Sequence, residues 1–170
     1  MVIAVIVRRQ GERAWSQRTI DSLSHNMRNI FPPLYFDIEM IDDNNKKLTS
    51  CFQCLSRLMS KTNILIGSHG AGLNHMISMS PNNLIVSTFA SNLFYPTLSY
   101  FDMLAFSLGL HHYTYSPDVV EKTDLNSVDL LIQVNTFIEQ VCSSRTKLSK
   151  PSWCSHYIKF ANRNGDFVKI

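Results

Sequence analysis

Apolar and polar positions alternate along this chain in a way that predicts five strands separated by helices. The first strand is a continuous run of β-branched and small residues over 2–7, typical of a strand buried on both faces of a parallel sheet. Short apolar runs predict two more strands, over 64–66 and 84–89. Alternation of apolar and acidic residues predicts another over 36–40, and residues 112–115 are the last strand candidate. Apolar residues three and four positions apart predict helices over 15–30, 48–59, 73–77, 98–108 and 128–141.

This alternation of strands and helices indicates the fold class. Repeated strand–helix–strand units with right-handed crossovers build a parallel sheet that helices cover on both faces. We therefore predict an α/β fold, a single Rossmann-like domain with a mostly parallel sheet, over residues 1–142. Residues 143–170 are polar without an apolar period and are predicted to form a C-terminal tail. Ligands of such sheets bind at the carboxyl ends of the strands, here in the loops after Val7, Ile66 and Val86.

The composition supports a folded domain and argues against two kinds of partner. The 170 residues are 45% hydrophobic and carry a formal net charge of +3, too small and dispersed an excess to indicate a nucleic-acid-binding protein. The apolar start is followed by Arg8 and Arg9, which reverses the order of charge and apolar run in a signal peptide. We expect no nucleic-acid partner, and neither a signal peptide nor a membrane segment in this chain.

The four cysteines leave their chemical state open. Cys51 and Cys54 have the spacing of half a zinc site or of a redox pair. Cys142 and Cys154 lie too far apart to complete the common zinc spacing. Because Cys51 and Cys54 fall on a predicted amphipathic helix, where small apolar residues are ordinary, free thiols are favoured over a disulfide or a metal site. The cysteines therefore do not assign a cellular compartment.

A cluster of glycines follows the third predicted strand. Gly67, Gly70 and Gly72 allow a tight turn and a close backbone approach to a ligand, and the helix that follows offers free N–H groups to a phosphate. His69 and Asn74 carry side-chain donors. The order G-x-x-G-x-G differs from the G-x-G-x-x-G fingerprint, which disfavours a nicotinamide cofactor, and no Walker lysine follows. A tight strand-to-helix turn without a ligand is the competing interpretation.

Arginines after the first strand are the second candidate for ligand binding. Arg8 and Arg18 are predicted at the same sheet edge as the glycines, and guanidinium groups pair bidentately with phosphate oxygens. Solvated surface arginines are the alternative. The chain has no Gly-x-Ser-x-Gly elbow, so a hydrolase nucleophile is not expected. It has no Asp-x-Asp pair either, so a metal-held nucleotide diphosphate is not indicated. His111 and His112 are predicted on a strand with their rings on opposite faces.

The glycine cluster and its flanks resemble a known family. The segment ILIGSHGAGLN over 64–74, followed by PNNLIV over 81–86, is similar to the hallmark of glycosyltransferase family 61. The Arg8 loop, Gln53 and residues 100–113 resemble further parts of that family more loosely, so that the likeness extends over about residues 3–140. The resemblance implies the C-terminal, nucleotide-binding half of a two-domain GT-B glycosyltransferase.

The resemblance also implies an activity and a set of site residues. It implies inverting transfer from a nucleotide sugar, UDP-linked, to a protein or glycan hydroxyl, with no metal or other cofactor, in the ER or Golgi lumen. It implies a missing N-terminal domain that carries the acceptor site and the catalytic base. Ser87 stands where the family's strand ends in a Glu that binds the ribose, which leaves a catalytically inactive nucleotide-binding or interaction module as the alternative. The implied donor-binding residues are Arg8, Arg18, Gly67, His69, Gly70, Ala71, Gly72 and Ser87.

Overall fold

A computed structural model describes most of the chain. The described residues are 2–8, 15–30, 36–42, 50–88, 96–115, 126–143 and 150–155.

Five strands form one parallel sheet in the order β2-β1-β3-β4-β5. This confirms the predicted α/β, Rossmann-like fold, with every described strand pair parallel. Each strand lies within a few residues of its predicted range, because strands of a covered sheet leave apolar runs or an apolar–polar alternation in the sequence. The strands are β1 (Val2–Arg8), β2 (Phe36–Asp42), β3 (Ile64–Ser68), β4 (Leu84–Thr88) and β5 (His111–Tyr115).

Helices cover both faces of the sheet. On the first face, α1 (Gln17–Ile30) and α4 (Ser127–Ser143) pack against alternate strand residues such as Ile6 and Val86. On the second face, α2 (Phe52–Lys61) and α3 (Pro96–Ser107) pack against the other set, such as Val5 and Leu65. Both sides of β1 are therefore buried, as its continuous apolar run predicts.

The segment Ala71–Ser78 on the second face is a 3₁₀ helix, not a further α-helix. The crossover from β3 to β4 consists of residues 69–83 only. It must return the chain along the full length of β3, because the first residues of the two strands, Ile64 and Leu84, are paired. Eight residues rising about 2.0 Å each cover about 16 Å, the length of a five-residue strand, whereas an α-helix of eight residues covers only about 12 Å. The tighter winding lets a short crossover return along the whole strand.

Part of the predicted polar tail belongs to the core. Trp153 and Cys154 are 3% exposed and join the cluster on the first face, and Cys154 forms a disulfide with Cys142 at the end of α4. For residues 150–155, tail is therefore the wrong description. The sequence does not indicate this, because Trp153 and Cys154 are too few to form a periodic pattern. Their partners, Asn83 and Cys142, lie earlier in the chain. Residues 144–149 and 156–170 lie outside the described ranges.

Both cysteine pairs form disulfides, Cys51 with Cys54 and Cys142 with Cys154. The free thiols favoured from the sequence are therefore wrong. Within the described ranges, none of the helices combines the length and the apolar character needed to span a lipid bilayer.

Candidate functional site

The strand order reverses between β1 and β3, which makes this point the switch point of the sheet. β1 pairs with β2 on one side and with β3 on the other, and the connections leave toward opposite faces. In parallel sheets of this order, a crevice for ligands opens at the carboxyl ends of the two strands at the switch point. Arg8 ends β1, and Ser68 ends β3 in adjacent register. Arg18 is exposed in the first turn of α1, which begins at the same edge.

The glycine loop, residues 67–72, lies at this switch point, and packing explains two of its glycines. A Cβ on Gly72 would lie 2.8 Å from Cγ1 of Val7, and a Cβ on Gly67 would lie 3.1 Å from Cδ2 of Leu73. These glycines let the 3₁₀ helix approach β1 closely. Gly70 adopts φ 149°, a conformation that strains any residue with a side chain. The tight-turn interpretation therefore accounts for the glycines by itself.

The backbone amides at the start of the 3₁₀ helix are open. Within the part of the chain that the structure describes, the N–H groups of Ala71 and Gly72 donate to no acceptor, and the first helical bond runs from Leu73 N–H to the Gly70 carbonyl oxygen (3.0 Å). Unpaired N–H groups at a helix N-terminus attract anions. The arrangement can bind a phosphate or carboxylate group.

His69 is held differently from its predicted role. Its backbone N–H donates to the carbonyl oxygen of Thr88 (2.9 Å), so this amide is already used inside the sheet. Its ring is 6% exposed and packs edge-on against Phe101 of α3. His69 thus anchors the glycine loop to α3 through its ring and to β4 through its amide. In this conformation it presents neither group to the crevice.

Ser87 is turned into the protein, where it begins a chain of polar side chains. Its hydroxyl lies 2.8 Å from Nε2 of His112 and 3.4 Å from the hydroxyl of Thr114. Nδ1 of His112 pairs with the carboxylate of Asp102 on α3. The His112 ring is almost fully buried, and this burial lowers its pKa below the ordinary 6.5, against the opposing effect of Asp102. Ser87 is completely buried, so the order Ser–His–Asp does not present a nucleophile to a substrate.

Trp15 is a candidate that the sequence reasoning did not include. It is partly exposed before α1, and its indole N–H donates to the hydroxyl of Thr88 (3.1 Å) at the end of β4. The ring therefore lies at the carboxyl edge of the sheet, where it packs against the core on the first face. In the sequence, Trp15 stands out only as an aromatic residue just before an amphipathic helix. That position does not show which strand end the ring reaches.

A cavity of about 440 Å³ lies elsewhere, between α1 and β2. It contains none of the predicted site residues and is lined by Asp21, Ser24, His25, Arg28 and Met40. Among the described residues there is no group of three or more His, Cys, Asp or Glu that could hold a metal ion.

Comparison of this chain with protein-family models and with curated proteins finds no match. In the structure, Arg8, Arg18 and the glycine loop lie at one edge of the sheet, whereas the Ser87 hydroxyl points into the protein. The resemblance to glycosyltransferase family 61 stays a prediction.

Proposed function

We propose that this domain binds the diphosphate of a nucleotide-sugar donor, UDP-linked, and acts as the donor half of a family 61 type glycosyltransferase. The observation that carries this proposal is the position of the glycine loop, with two open amides, at the switch point of a 2-1-3-4-5 parallel sheet. That position is where sheets of this order hold phosphate-bearing ligands.

Each residue at this edge has a role suited to a diphosphate. The N–H groups of Ala71 and Gly72 donate to phosphate oxygens, and Arg8 and Arg18 supply positive charge. The partly exposed ring of Trp15 offers a surface for the base of the nucleotide. In an inverting transfer by direct displacement at the anomeric carbon, these groups stabilise the negative charge that develops on the departing diphosphate.

Catalysis needs a base that deprotonates the acceptor hydroxyl. The imidazole of His112 is oriented by the carboxylate of Asp102, as a catalytic base would be. Its ring is almost fully buried, however, and faces Ser87. The proposal therefore assigns the base and the acceptor site to a further domain, expected N-terminal to this one. The same family resemblance implies a location in the ER or Golgi lumen and a protein or glycan as acceptor.

One observation favours a second candidate, a nucleotide-binding or interaction module without transferase activity. Ser87 replaces a ribose-binding Glu of the family pattern, and its hydroxyl is occupied by His112 inside the protein. A donor site without this carboxylate holds the ribose less firmly. Both candidates have the diphosphate site, but the second does not catalyse sugar transfer.

Calorimetric titration with UDP, UDP-N-acetylglucosamine, UDP-xylose and NAD tests the proposal. We expect saturable binding of UDP and of one UDP-sugar, and none of NAD. Arg18→Ala should weaken UDP binding by about tenfold, which corresponds to about 1.4 kcal/mol. Arg28→Ala is the matched control, because Arg28 is exposed on the same helix in its last turn, at the opposite edge. Absence of UDP binding, or an equal loss in both variants, would overturn the assignment.

A further inference from the structure

The Cys51–Cys54 disulfide differs from an ordinary structural disulfide in its surroundings. Cys51 is the N-cap residue of α2, and its sulfur accepts a hydrogen bond from the backbone N–H of Cys54 (3.1 Å). Phe52, Gln53 and Cys54 are all exposed, with Phe52 at 79%. An incoming group can therefore approach Cys54 from solvent.

The second disulfide provides a contrast within the same chain. Cys142 and Cys154 are 2% and 3% exposed and belong to the apolar cluster on the first face of the sheet. Thiol–disulfide exchange requires a thiolate to reach one of the two sulfurs, and a leaving sulfur that carries negative charge well. Neither requirement is met in an apolar core.

Both requirements are met at Cys51–Cys54. The N-terminus of a helix stabilises a thiolate through its dipole and its free amides. The Cys54 N–H already points at the Cys51 sulfur, and the first turn of α2 contains no acidic residue that would oppose a negative charge there. The Cys51 sulfur is thus the better leaving group, and the Cys54 sulfur is the more accessible point of attack.

We propose that Cys51–Cys54 is a redox-active pair that accepts two electrons from external thiols. The thiolate of a first thiol attacks Sγ of Cys54, a mixed disulfide forms, and the bond to Sγ of Cys51 breaks with Cys51 leaving as the thiolate. A second thiolate attacks the sulfur of the first thiol, which releases Cys54 as a thiolate that takes up a proton. One protein disulfide and two thiols become one protein dithiol and one external disulfide, so atoms and electrons balance.

The site lies at the same sheet edge as the glycine loop. α2 follows β2 in a parallel sheet, so its N-terminus lies at the carboxyl edge, and its later turns pack along the 3₁₀ helix through a hydrogen bond from Ser56 to Ser78 (3.3 Å). The proposal does not depend on nucleotide binding, because it rests on the cysteine pair and its helix alone.

Equilibration of the full chain in glutathione buffers of stepped reduced-to-oxidised ratio tests the proposal. Rapid alkylation followed by peptide mass spectrometry gives the oxidised fraction of each pair. We expect Cys51–Cys54 to be reduced reversibly, with its midpoint at a reduced-to-oxidised ratio at least about tenfold lower than that of Cys142–Cys154, which serves as the internal control. If both pairs are reduced together, or if Cys142–Cys154 is reduced first, the proposal is wrong.

Single-cysteine variants test which sulfur leaves. In Cys54→Ser the remaining Cys51 thiol should reach its half-maximal alkylation rate at a lower pH than the Cys54 thiol does in Cys51→Ser. Equal midpoints, or the reverse order, would overturn the assignment of Cys51 as the leaving group. Circular dichroism of each variant shows whether the fold is retained, and the titration of the unmodified chain does not depend on either variant.

Discussion

At the amino edge of the sheet, side chains close the ends of the strands with hydrogen bonds, whereas at the carboxyl edge backbone amides are left open. Three side chains and one backbone amide form the amino-edge network. Asn63 accepts from the Ile3 N–H (2.9 Å) and donates to Asn83 (3.2 Å), and the indole of Trp153 donates to the same Asn83 oxygen (3.1 Å). At the other edge, the amides of Ala71 and Gly72 have no acceptor among the described residues.

The difference separates residues that hold the fold from residues available to a ligand. A buried polar group is retained when it is hydrogen-bonded, and such a network stabilises the strand ends. Open amides at a helix N-terminus are stabilised when an anion binds. We therefore expect changes at the amino edge to lower stability, and changes at the carboxyl edge to alter binding as well.

The strongest test of this comparison is Trp153→Ala at the amino edge. Removing a buried Trp side chain from the first-face core should lower the free energy of unfolding by about 3–5 kcal/mol. Urea denaturation measures this change. Trp153→Phe keeps most of the packing and loses only the bond to Asn83, so it should be clearly milder. If the two variants are equally destabilised, the ring does not contribute through packing.

A smaller effect is expected from Gly72→Ala at the carboxyl edge. The added Cβ meets Cγ1 of Val7 at 2.8 Å, and overpacking of this kind lowers stability by about 1–3 kcal/mol. Val7→Ala removes the opposing methyl group, so the double variant should be less destabilised than the sum of the two single variants. Strict additivity in a double-mutant cycle of urea unfolding would contradict the contact.

The double variant also sharpens the comparison between the two edges. If stability returns while UDP binding stays weak, Gly72 serves the ligand as well as the packing. If both return together, packing alone explains the glycine.

The smallest expected effect is a change in the pH dependence of stability. Burial lowers the pKa of His112 in the folded protein below 6.5. As the pH falls through about 6.5, the unfolded chain takes up a proton at this site before the folded protein does, so the stability falls. Urea unfolding between about pH 7.5 and about pH 5.5 spans the range in which imidazoles titrate. His112→Gln should flatten the curve.

A His112→Gln curve parallel to that of the unmodified protein would contradict this interpretation. The result bears on the comparison because the chain from Ser87 to Asp102 lies between the two edges, under α3. It would show whether the burial of His112 couples its protonation to the stability of the fold.

The sequence predicts the fold well because buried strands leave apolar runs, as in β1, or an alternation of apolar and polar residues, as in β2. The approximate positions of all five strands along the chain follow from these two patterns. The 3₁₀ helix does not follow, since its winding depends on the length that the crossover must span. The core position of Trp153 depends on Asn83, seventy residues away, and no local pattern records such a contact.

The candidate site is predicted only in part. Arg8, Arg18 and the glycine loop share an edge because the carboxyl ends of parallel strands and the starts of the helices that follow them coincide. The orientation of Ser87 depends on the register of β4 against β5 and on the rotation of α3, which brings Asp102 to His112. Neither quantity can be read from spacing along the chain.

The bond between Cys142 and Cys154 also has a topological consequence. It closes a covalent ring that contains residues 142–154, with a sequence separation of 12. A single proteolytic cut inside that ring opens it without dividing the molecule, because the two fragments remain joined through sulfur. The piece that carries Trp153 would therefore stay attached to α4 after such a cut, and on a gel the nicked chain would separate into two bands only after reduction.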